Sequence, residues 1–427
     1  MTLRVSSPGS QEMSASRWFC RLCISPVLAA LLVSAAMAGY GGGAGTADDP
    51  YRICDAEQLN TLGSTPGDWD KHFVLEEDID LTGYDEENFH LIGYWVALGS
   101  MDNKAFTGIF DGNGLTISNL TYRDNSQNSL GLFRYVEVGE IRNLKLVNMK
   151  MSGKGLSVGS LVGYLKNGAV VNCHAAGVSI AGDTGVGGLV GNVDGAIAKS
   201  SSRGKVTGTW YVGGLVGQVG EATVSKSYSK AAVSGTESVG GLVGATLREA
   251  AIIDSCYATG NVEGGTYVGG LVGQVVQGRV FRCYCVGAVS GDQATGGLTG
   301  SIRVFGDVIA SFWDQQSSGQ ANSAGGMGRT TDEMRSAATF GGWDFDTTWS
   351  ICDGMSYPVL LWQIPTSDLR CPDGVTGRDF AWFAMQWMRQ DCGAGNLDCE
   401  WADFDLSGSV SFPDLAILAN DWLVGMD

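Results

Sequence analysis

An internal repeat of about 27 residues constrains the fold of this chain more than any other feature. The pentapeptide Gly-Ser-Leu-Val-Gly at 159–163 recurs as Gly-Gly-Leu-Val-Gly or Gly-Gly-Leu-Thr-Gly at steps of 26 to 29 residues, at 187–191, 213–217, 240–244, 269–273 and 296–300. A second column of small side chains keeps the same period and consists of Cys173, Ser200, Ser227, Cys256, Cys283 and Ser311. Because two columns share one period, the sequence predicts a solenoid of stacked coils.

The composition of the repeats favours strands over helices. Each unit contains short runs of valine, isoleucine, leucine and tyrosine, and 64 of the 427 residues are glycine. Each glycine in a helix interior would cost about 1 kcal/mol relative to alanine. Two or three short strands fit one repeat, and we expect glycine to supply the positive φ of the corners between them. The sequence therefore predicts a mainly β protein, a parallel β-helix with coils about 4.8 Å apart.

The repeat units resemble those of the GLUG-repeat proteins. The resemblance rests on the tandem pentapeptides and on the segment Cys-Tyr-Ala-Thr-Gly-Asn-Val-Glu-Gly at 256–264. It extends upstream to 106–117 and downstream to 342–345 and 357–358, so that it covers roughly residues 50–365. The resemblance implies a parallel β-helix on a secreted or surface protein, without implying one activity.

The N-terminus has the pattern of a secretory signal. Arg17 and Arg21 precede the apolar run 24–36, and Ala-Met-Ala at 36–38 is a small-x-small cleavage site. Residues 1–38 carry three arginines and one glutamate, so their removal changes the net charge from −18 to −20. We therefore expect an extracellular or cell-surface protein that inserts into no membrane after processing. Its negative charge also disfavours nucleic acid as a partner.

The cysteines are too few for a disulfide scaffold. Of the 11 cysteines, Cys20 and Cys23 would leave with the signal, and nine remain. Cys392 and Cys399 flank a glycine-rich turn, so we predict a bridge between them.

The ends of a solenoid need caps because an open end coil is an unpaired edge. The segment 55–59 predicts a short capped helix at the N-terminal end. The C-terminal end has bulky aromatic residues for the same purpose, which are Trp343, Phe345, Trp349 and Trp362. The predicted organisation is a signal peptide (1–38), an N-terminal cap with the first coils (39–130), the GLUG-type repeats (131–315), a C-terminal cap (316–365) and a separate module (366–427).

The module contains its own repeat, offset by 35 residues. The segments 376–388 and 411–423 both begin with a capping-box pattern, in which Ser or Thr is followed three residues later by Asp379 or Asp414. Apolar residues then recur at helical spacing. We predict two amphipathic helices that pack face to face.

The loop before the second helix has the spacing of a calcium site. Oxygen ligands occupy loop positions 1, 3, 5 and 12, with glycine at position 6. The predicted side-chain ligands are Asp403, Asp405, Ser407 and Asp414; Ser409 would offer its carbonyl and Ser411 a water. The alternative is a solvated acidic turn before a capped helix. The corresponding first loop has Arg370 and Pro372 at positions 3 and 5, so we predict one calcium ion.

Paired loop-helix units whose calcium loop closes on an aspartate, here Asp414, resemble a type I dockerin over about 371–423. The resemblance implies docking on a cohesin-like surface protein. The first loop and the insertion at 392–399 depart from the dockerin pattern.

An aromatic column accompanies the repeats and could form a binding surface. Tyr228, Tyr257, Tyr284 and Phe312 each follow the cysteine or serine column by one residue. Alternation places the two columns on opposite faces of a strand, so inward cysteine and serine imply outward rings. Exposed rings could stack on sugars or on a protein partner. The alternative is a ladder that only holds the coils in register.

The patterns of catalytic sites are weak in this sequence. The acids of the repeats do not align into a pair of the kind that a glycosidase needs, and the zinc motif H-E-x-x-H is absent. His72, His90 and His174 are isolated, and repeat glycines explain the G-x-S-x-G pattern around Ser157. We therefore expect a non-catalytic binding or adhesion scaffold with a glycan or protein ligand. The alternative is a polysaccharide-degrading β-helix enzyme that a dockerin recruits to a complex.

Overall fold

The strands between Tyr51 and Arg329 form a parallel β-solenoid of about seven turns. The computed structural model describes residues 39–97, 99–365, 367–369, 371, 374–392, 399, 401–405 and 407–422. The predicted signal peptide, residues 1–38, lies outside the described residues. The chain is thus mainly β, as the repeat pattern predicts.

Two large parallel sheets form the walls of the solenoid. The strands of the first sheet are Tyr51–Ile53, His72–Leu75, Ile109–Asp111, Phe133–Glu137, Glu140–Arg142, Val162–Val171, Val190–Ala198, Val216–Val219, Thr223–Ser225, Val243–Thr246, Ile252–Asp254, Val272–Phe281 and Thr299–Ile309. The strands of the second are Ile79–Asp80, Thr116–Ser118, Thr121–Asp124, Ser129–Leu130, Lys145–Val147, Lys150–Gly153, Ser157–Val158, His174–Ala181, Thr184–Gly187, Ser201–Thr207, Trp210–Gly213, Tyr228–Ser229, Ala232–Gly240, Tyr257–Ala258, Val262–Gly269, Tyr284–Cys285, Val289–Gly296, Phe312–Asp314 and Met327–Arg329.

The remaining elements are short and lie mostly outside the coils. Trp349–Ser350 and Val359–Leu360 form an antiparallel pair. The α-helices are Ala56–Ser64, Gln315–Ser318, Thr331–Met334, Gly377–Gln386 and Phe412–Asn420. Single turns of 3-10 helix are Pro66–Asp68, Ala337–Thr339 and Leu361–Gln363.

The repeated pentapeptide supplies the core. Its leucine and valine columns are fully buried in successive coils, and Val190 pairs in register with Val216, which pairs with Val243. Identical side chains therefore stack at the ladder spacing, and one filled column continues through the interior. Because the interior is tightly packed, each coil must supply a side chain of the same size at the same position. The sequence therefore repeats with the same period as the coils.

The cysteine and serine column points inward, and every member is fully buried. These small side chains bind the backbone at a corner: Ser227 Oγ accepts from the N–H of Ser200 at 3.1 Å and donates to the carbonyl of Ser225 at 2.7 Å. Cys283 Sγ accepts from the N–H of Cys256 at 3.4 Å in the same way. The column thus satisfies backbone groups that would otherwise be buried without a partner.

Our expectation that glycine supplies the positive φ of the corners is wrong for most coils. The residue before the cysteine or serine column has a φ of 45° to 54° and is not glycine in successive coils: Asn172, Lys199, Lys226, Ser255, Arg282 and Ala310. The glycines of the pentapeptide serve a close approach of backbones instead. A Cβ on Gly213 would lie 2.0 Å from the carbonyl oxygen of Val216 and 2.7 Å from the N–H nitrogen of Gly244.

We expect Gly213→Ala to lower the free energy of unfolding by about 1–3 kcal/mol, because the added methyl group meets backbone that cannot move aside. Gly341→Ala is the matched control, since nothing lies within 4 Å of its Cβ position. Denaturant unfolding followed by far-ultraviolet circular dichroism measures both. Equal stabilities of the two variants would show that the close approach is not a constraint.

The N-terminal cap is the predicted helix. Asp55 Oδ1 accepts a hydrogen bond from the N–H of Gln58 at 2.8 Å at the start of Ala56–Ser64, and Leu59 and Leu62 are fully buried.

The predicted aromatic cap at the other end is wrong in its position. The segment 340–363 lies along the side of the solenoid, where Trp362 Nε1 donates to the carbonyl of Lys226 at 2.8 Å. The strand Met327–Arg329 instead follows the last coil and pairs with Phe312–Asp314.

The C-terminal module contains the two predicted helices, Gly377–Gln386 and Phe412–Asn420, each with a capping box. Phe383 and Leu418 are buried in its own small core. The predicted bridge Cys392–Cys399 is present. A second bridge, Cys352–Cys371, ties the module to the segment that covers the solenoid.

Candidate functional site

The second loop of the module brings three carboxylates together. One oxygen each of Asp403, Asp405 and Asp414 lies within 4.8 Å of the others. Asp403 and Asp414 are buried and Asp405 is exposed. The donors are all hard oxygens, the chemistry that calcium prefers, so the side chains present fit such an ion.

Backbone geometry holds these carboxylates in place. Gly408 has a φ of +89°, and its N–H donates to Asp403 Oδ2 at 2.8 Å. Asp414 accepts from the N–H of Ser411 at 2.8 Å and from that of Asp405 at 3.1 Å. The glycine therefore makes the sharp turn and Asp414 closes the loop, as the spacing predicts.

Serine side chains line the same turn. Ser407 Oγ donates to the carbonyl of Ser409 at 3.2 Å, and hydrogen bonding by Ser407 holds the pKa of Asp405 below its ordinary value. The five predicted ligands thus lie in the loop and in the first turn of the helix that follows it, and the carboxylates of Asp403, Asp405 and Asp414 approach one another.

The first loop of the module resembles the second only at its first and last positions, where Asp368 and Asp379 accept backbone hydrogen bonds. Asp379 accepts from the N–H of Leu369 at 2.8 Å and of Thr376 at 2.9 Å, and Gly374 N–H donates to Asp368 at 3.1 Å. Arg370 and Pro372, which the sequence places at ligand positions, lie outside the described residues. Between them, Cys371 is bonded to Cys352. A disulfide thus holds the middle of the first loop, where the second loop has carboxylates.

The predicted aromatic column is a stacked ladder. Ring centroids of Tyr228 and Tyr257 are 4.9 Å apart with an interplanar angle of 4°, and those of Tyr257 and Tyr284 are 5.1 Å apart at 10°. Phe312 is in register with Tyr284. The ring spacing follows the coil spacing, so each ring helps to fix the register of its neighbours.

The expectation that these rings are exposed is wrong. Tyr257, Tyr284 and Phe312 are 2%, 1% and 2% exposed, and Tyr228 is half-buried. The segment 340–363 covers them, and Tyr284 Oη donates to the carbonyl of Pro358 at 2.5 Å. Burial raises the pKa of Tyr257 and of Tyr284 well above the ordinary value. The covered rings therefore contribute to packing and offer no open face to a sugar.

Two of the residues considered for catalysis, Ser157 and His174, occupy structural positions. Ser157 lies in the strand Ser157–Val158 rather than at a strand-to-helix turn. The His174 ring stacks on Trp362 with centroids 5.2 Å apart, and burial lowers its pKa to about 4.

Sequence reasoning missed a groove on the outer face of the first sheet. It encloses about 540 Å3 between Trp95 and Arg248, and its floor includes Tyr164, Asn192 and Gln218. The position directly after each pentapeptide could have indicated this groove. It faces outward and is occupied by Tyr, Asn and Gln in three successive coils.

In the described part of the chain, no helix combines the length and the apolar character needed to cross a membrane.

Comparison with known proteins identifies the repeat. The family described as the GLUG motif matches residues 235–263. Halomucin of Haloquadratum walsbyi is 31% identical over 205 residues, which are 41% of this chain and 2% of that protein. An immunoglobulin A1 protease of Streptococcus pneumoniae is 36% identical over 96 residues, 21% of this chain and 5% of that protein.

The crystal structure of a Bacteroides ovatus protein assigned as an immunoglobulin A1 protease aligns with a TM-score of 0.48 and 22% identity, over 76% of this chain and 95% of that one. The chain spans only a small part of the curated relatives that it matches. The protein is therefore a parallel β-solenoid of about seven turns that contains the GLUG motif.

Proposed function

We propose that this protein is an extracellular, non-catalytic β-solenoid scaffold for binding or adhesion, held in place by a calcium-binding, dockerin-like module at 366–427. The solenoid presents its surface to a glycan or protein ligand. The module docks on a cohesin-like or other cell-surface partner.

The observation that carries this proposal is the cluster of Asp403, Asp405 and Asp414. A loop that gathers three carboxylates before a capped helix, in a module of two loop-helix units, supports calcium-dependent docking. The module also exposes large apolar side chains, with Phe412 75% and Met388 74% accessible. Such side chains are common where a protein partner binds.

Two further observations support an extracellular location of the protein. Cys352–Cys371 and Cys392–Cys399 are bridges of the kind that persist in oxidising compartments. The sequence also predicts a secretory signal at residues 1–38, and the matched relatives include a halomucin.

A polysaccharide-degrading enzyme is the second candidate, because Asp194 and Glu221 both line the outer groove. Asp194 is poorly placed for proton transfer or attack, since its two oxygens already accept from Tyr164 Oη at 2.6 Å and from the N–H of Glu221 at 3.0 Å. Glycosidases need two carboxylates that are both available to one bond. We therefore favour binding over hydrolysis.

We expect the mature protein to be retained by at least one immobilised glycan and to release no reducing ends or unsaturated sugars from it. A glycan array combined with a reducing-sugar assay measures both. Release of sugar by the purified protein, lost in Glu221→Gln, would replace the scaffold with the enzyme. Binding without release supports the scaffold.

A further inference from the structure

The outer groove on the first sheet runs along the axis of the solenoid. Its floor is one outward column, in which Tyr164 pairs in register with Asn192, Asn192 with Gln218 and Gln218 with Ala245. Three steps of the ladder cover about 14 Å. The floor of the groove is therefore elongated along the axis, and each successive coil contributes one side chain to it.

One end of the groove is aromatic. Trp95 lies with its ring centroid 4.8 Å from that of Tyr164 and 4.8 Å from that of Tyr135. The Tyr164 hydroxyl is fixed by its hydrogen bond to Asp194, and burial together with this bond raises the pKa of Tyr164. Trp95 is itself only 9% exposed and packs against the half-buried Tyr164. The neutral, oriented phenol ring of Tyr164 is therefore the surface on which the apolar face of a sugar ring can pack.

The other end of the groove has polar side chains that make no hydrogen bond or ion pair within the described part of the chain. These side chains belong to Gln218, Glu221 and Arg248. An amide, a carboxylate and a guanidinium together offer both donors and acceptors. Hydroxyl groups, which both donate and accept, fit such a set.

A glycine at one corner beside this floor accommodates the side chain of Asn192. Gly185, with a φ of +58°, stands at a corner where the next coils have Tyr211, Ser238, Tyr267 and Ala294. A Cβ on Gly185 would lie 2.3 Å from Asn192 Oδ1 and 2.6 Å from the carbonyl of Leu156. Asn192 Oδ1 is buried there without a hydrogen-bond partner among the described residues. The glycine thus makes room for the Asn192 side chain itself, whose Nδ2 donates to the carbonyl of Leu156 at 3.3 Å.

The charges of the groove are balanced. Its lining has two cationic residues, Lys166 and Arg248, and two anionic ones, Asp194 and Glu221. The whole chain has a net charge of −18, which repels a polyanion. The floor is also the face of a sheet whose strands are paired on both sides, so it has no free edge to which an extended peptide could add.

We propose that this groove binds a stretch of a neutral, linear polysaccharide lying along the solenoid axis, with a sugar ring against Tyr164 and hydroxyl groups on Gln218 and Arg248. This inference rests on the proposed function as a binding scaffold and assigns a ligand class and a site to it.

The test is isothermal titration of the mature protein with hexasaccharides of β-1,4-glucan, β-1,4-mannan, β-1,4-xylan and β-1,3-glucan, with hexagalacturonate as the charged comparison. We expect at least one neutral hexasaccharide to bind. The double variant Gln218→Ala/Arg248→Ala should weaken that binding at least about tenfold, since two hydrogen-bonding groups are lost.

The matched control is Gln293→Ala/Arg303→Ala, which removes the same two residue types from exposed positions outside the groove. Its affinity should equal that of the parent, and circular dichroism should show both double variants folded. Binding that survives Gln218→Ala/Arg248→Ala would overturn the site but leave the scaffold standing. Binding of hexagalacturonate alone, or of none of the sugars, would overturn the ligand class. Release of reducing ends would overturn the proposed function itself.

Discussion

Replacing Trp349 by alanine is expected to lower the free energy of unfolding by about 3–5 kcal/mol. Trp349 is fully buried, and its ring lies 4.6 Å from Trp343 and 6.0 Å from Tyr284, centroid to centroid. Its Nε1 has no hydrogen-bond partner among the described residues, so the loss is one of packing. The alanine would leave a cavity between the covering segment and the ladder.

Chemical denaturation measures this effect, and near-ultraviolet circular dichroism reports the loss of aromatic packing. Trp210→Ala is the matched control because Trp210 is 47% exposed. Its effect should stay within about 0.5 kcal/mol, as for most surface substitutions. If both tryptophan variants have the same stability, packing of the segment 340–363 on the aromatic ladder does not stabilise the solenoid.

Removing calcium is expected to produce the second large effect. Three carboxylate oxygens within 4.8 Å of one another repel without a cation, so the ion should stabilise the module. Binding to the native state alone contributes about 2.7 kcal/mol at a hundredfold excess over Kd. We expect one ion per chain, and a lower melting temperature of the module in chelator.

Isothermal titration of the chelator-treated mature protein gives the stoichiometry, and Asp403→Ala should abolish the heat. Asp292→Ala, an exposed aspartate on the second sheet, is the control and should bind as the parent does. A stoichiometry of two would mean that the first loop also binds an ion. Absence of any heat in the parent protein would leave the loop as an acidic turn before a capped helix.

The disulfide Cys352–Cys371 attaches the module to the solenoid more closely than a free linker would. It joins the first loop of the module to the segment that covers the aromatic ladder. Ser367 Oγ also donates to Asp421 at 2.7 Å, which connects the start of the module to the end of its second helix. A partner that docks on this module would therefore hold the solenoid through a short covalent connection.

The sequence alone determined the features that repeat at short range. The 27-residue period predicted the solenoid, because each coil meets only its neighbours and a local pattern decides such contacts. The same period placed Tyr228, Tyr257 and Tyr284 in one column, with a stacked ladder as one of two alternatives. The carboxylates of Asp403, Asp405 and Asp414 belong to one short segment, and so do Cys392 and Cys399. Sequence spacing was therefore enough to predict that the members of each group lie close together, while calcium binding stays a prediction.

Only the tertiary structure decided what covers these coils. Trp362 reaches Lys226 across 136 positions of sequence, and Tyr257 reaches Gln363 across 106, so no periodic pattern could show that the ladder is buried. The bridge Cys352–Cys371 and the groove between Trp95 and Arg248 depend likewise on how separate segments pack. Whether a side chain is buried depends on the residues that pack against it in the folded protein. Here those residues belong to a segment outside the repeat, so the 27-residue period contains no information about them.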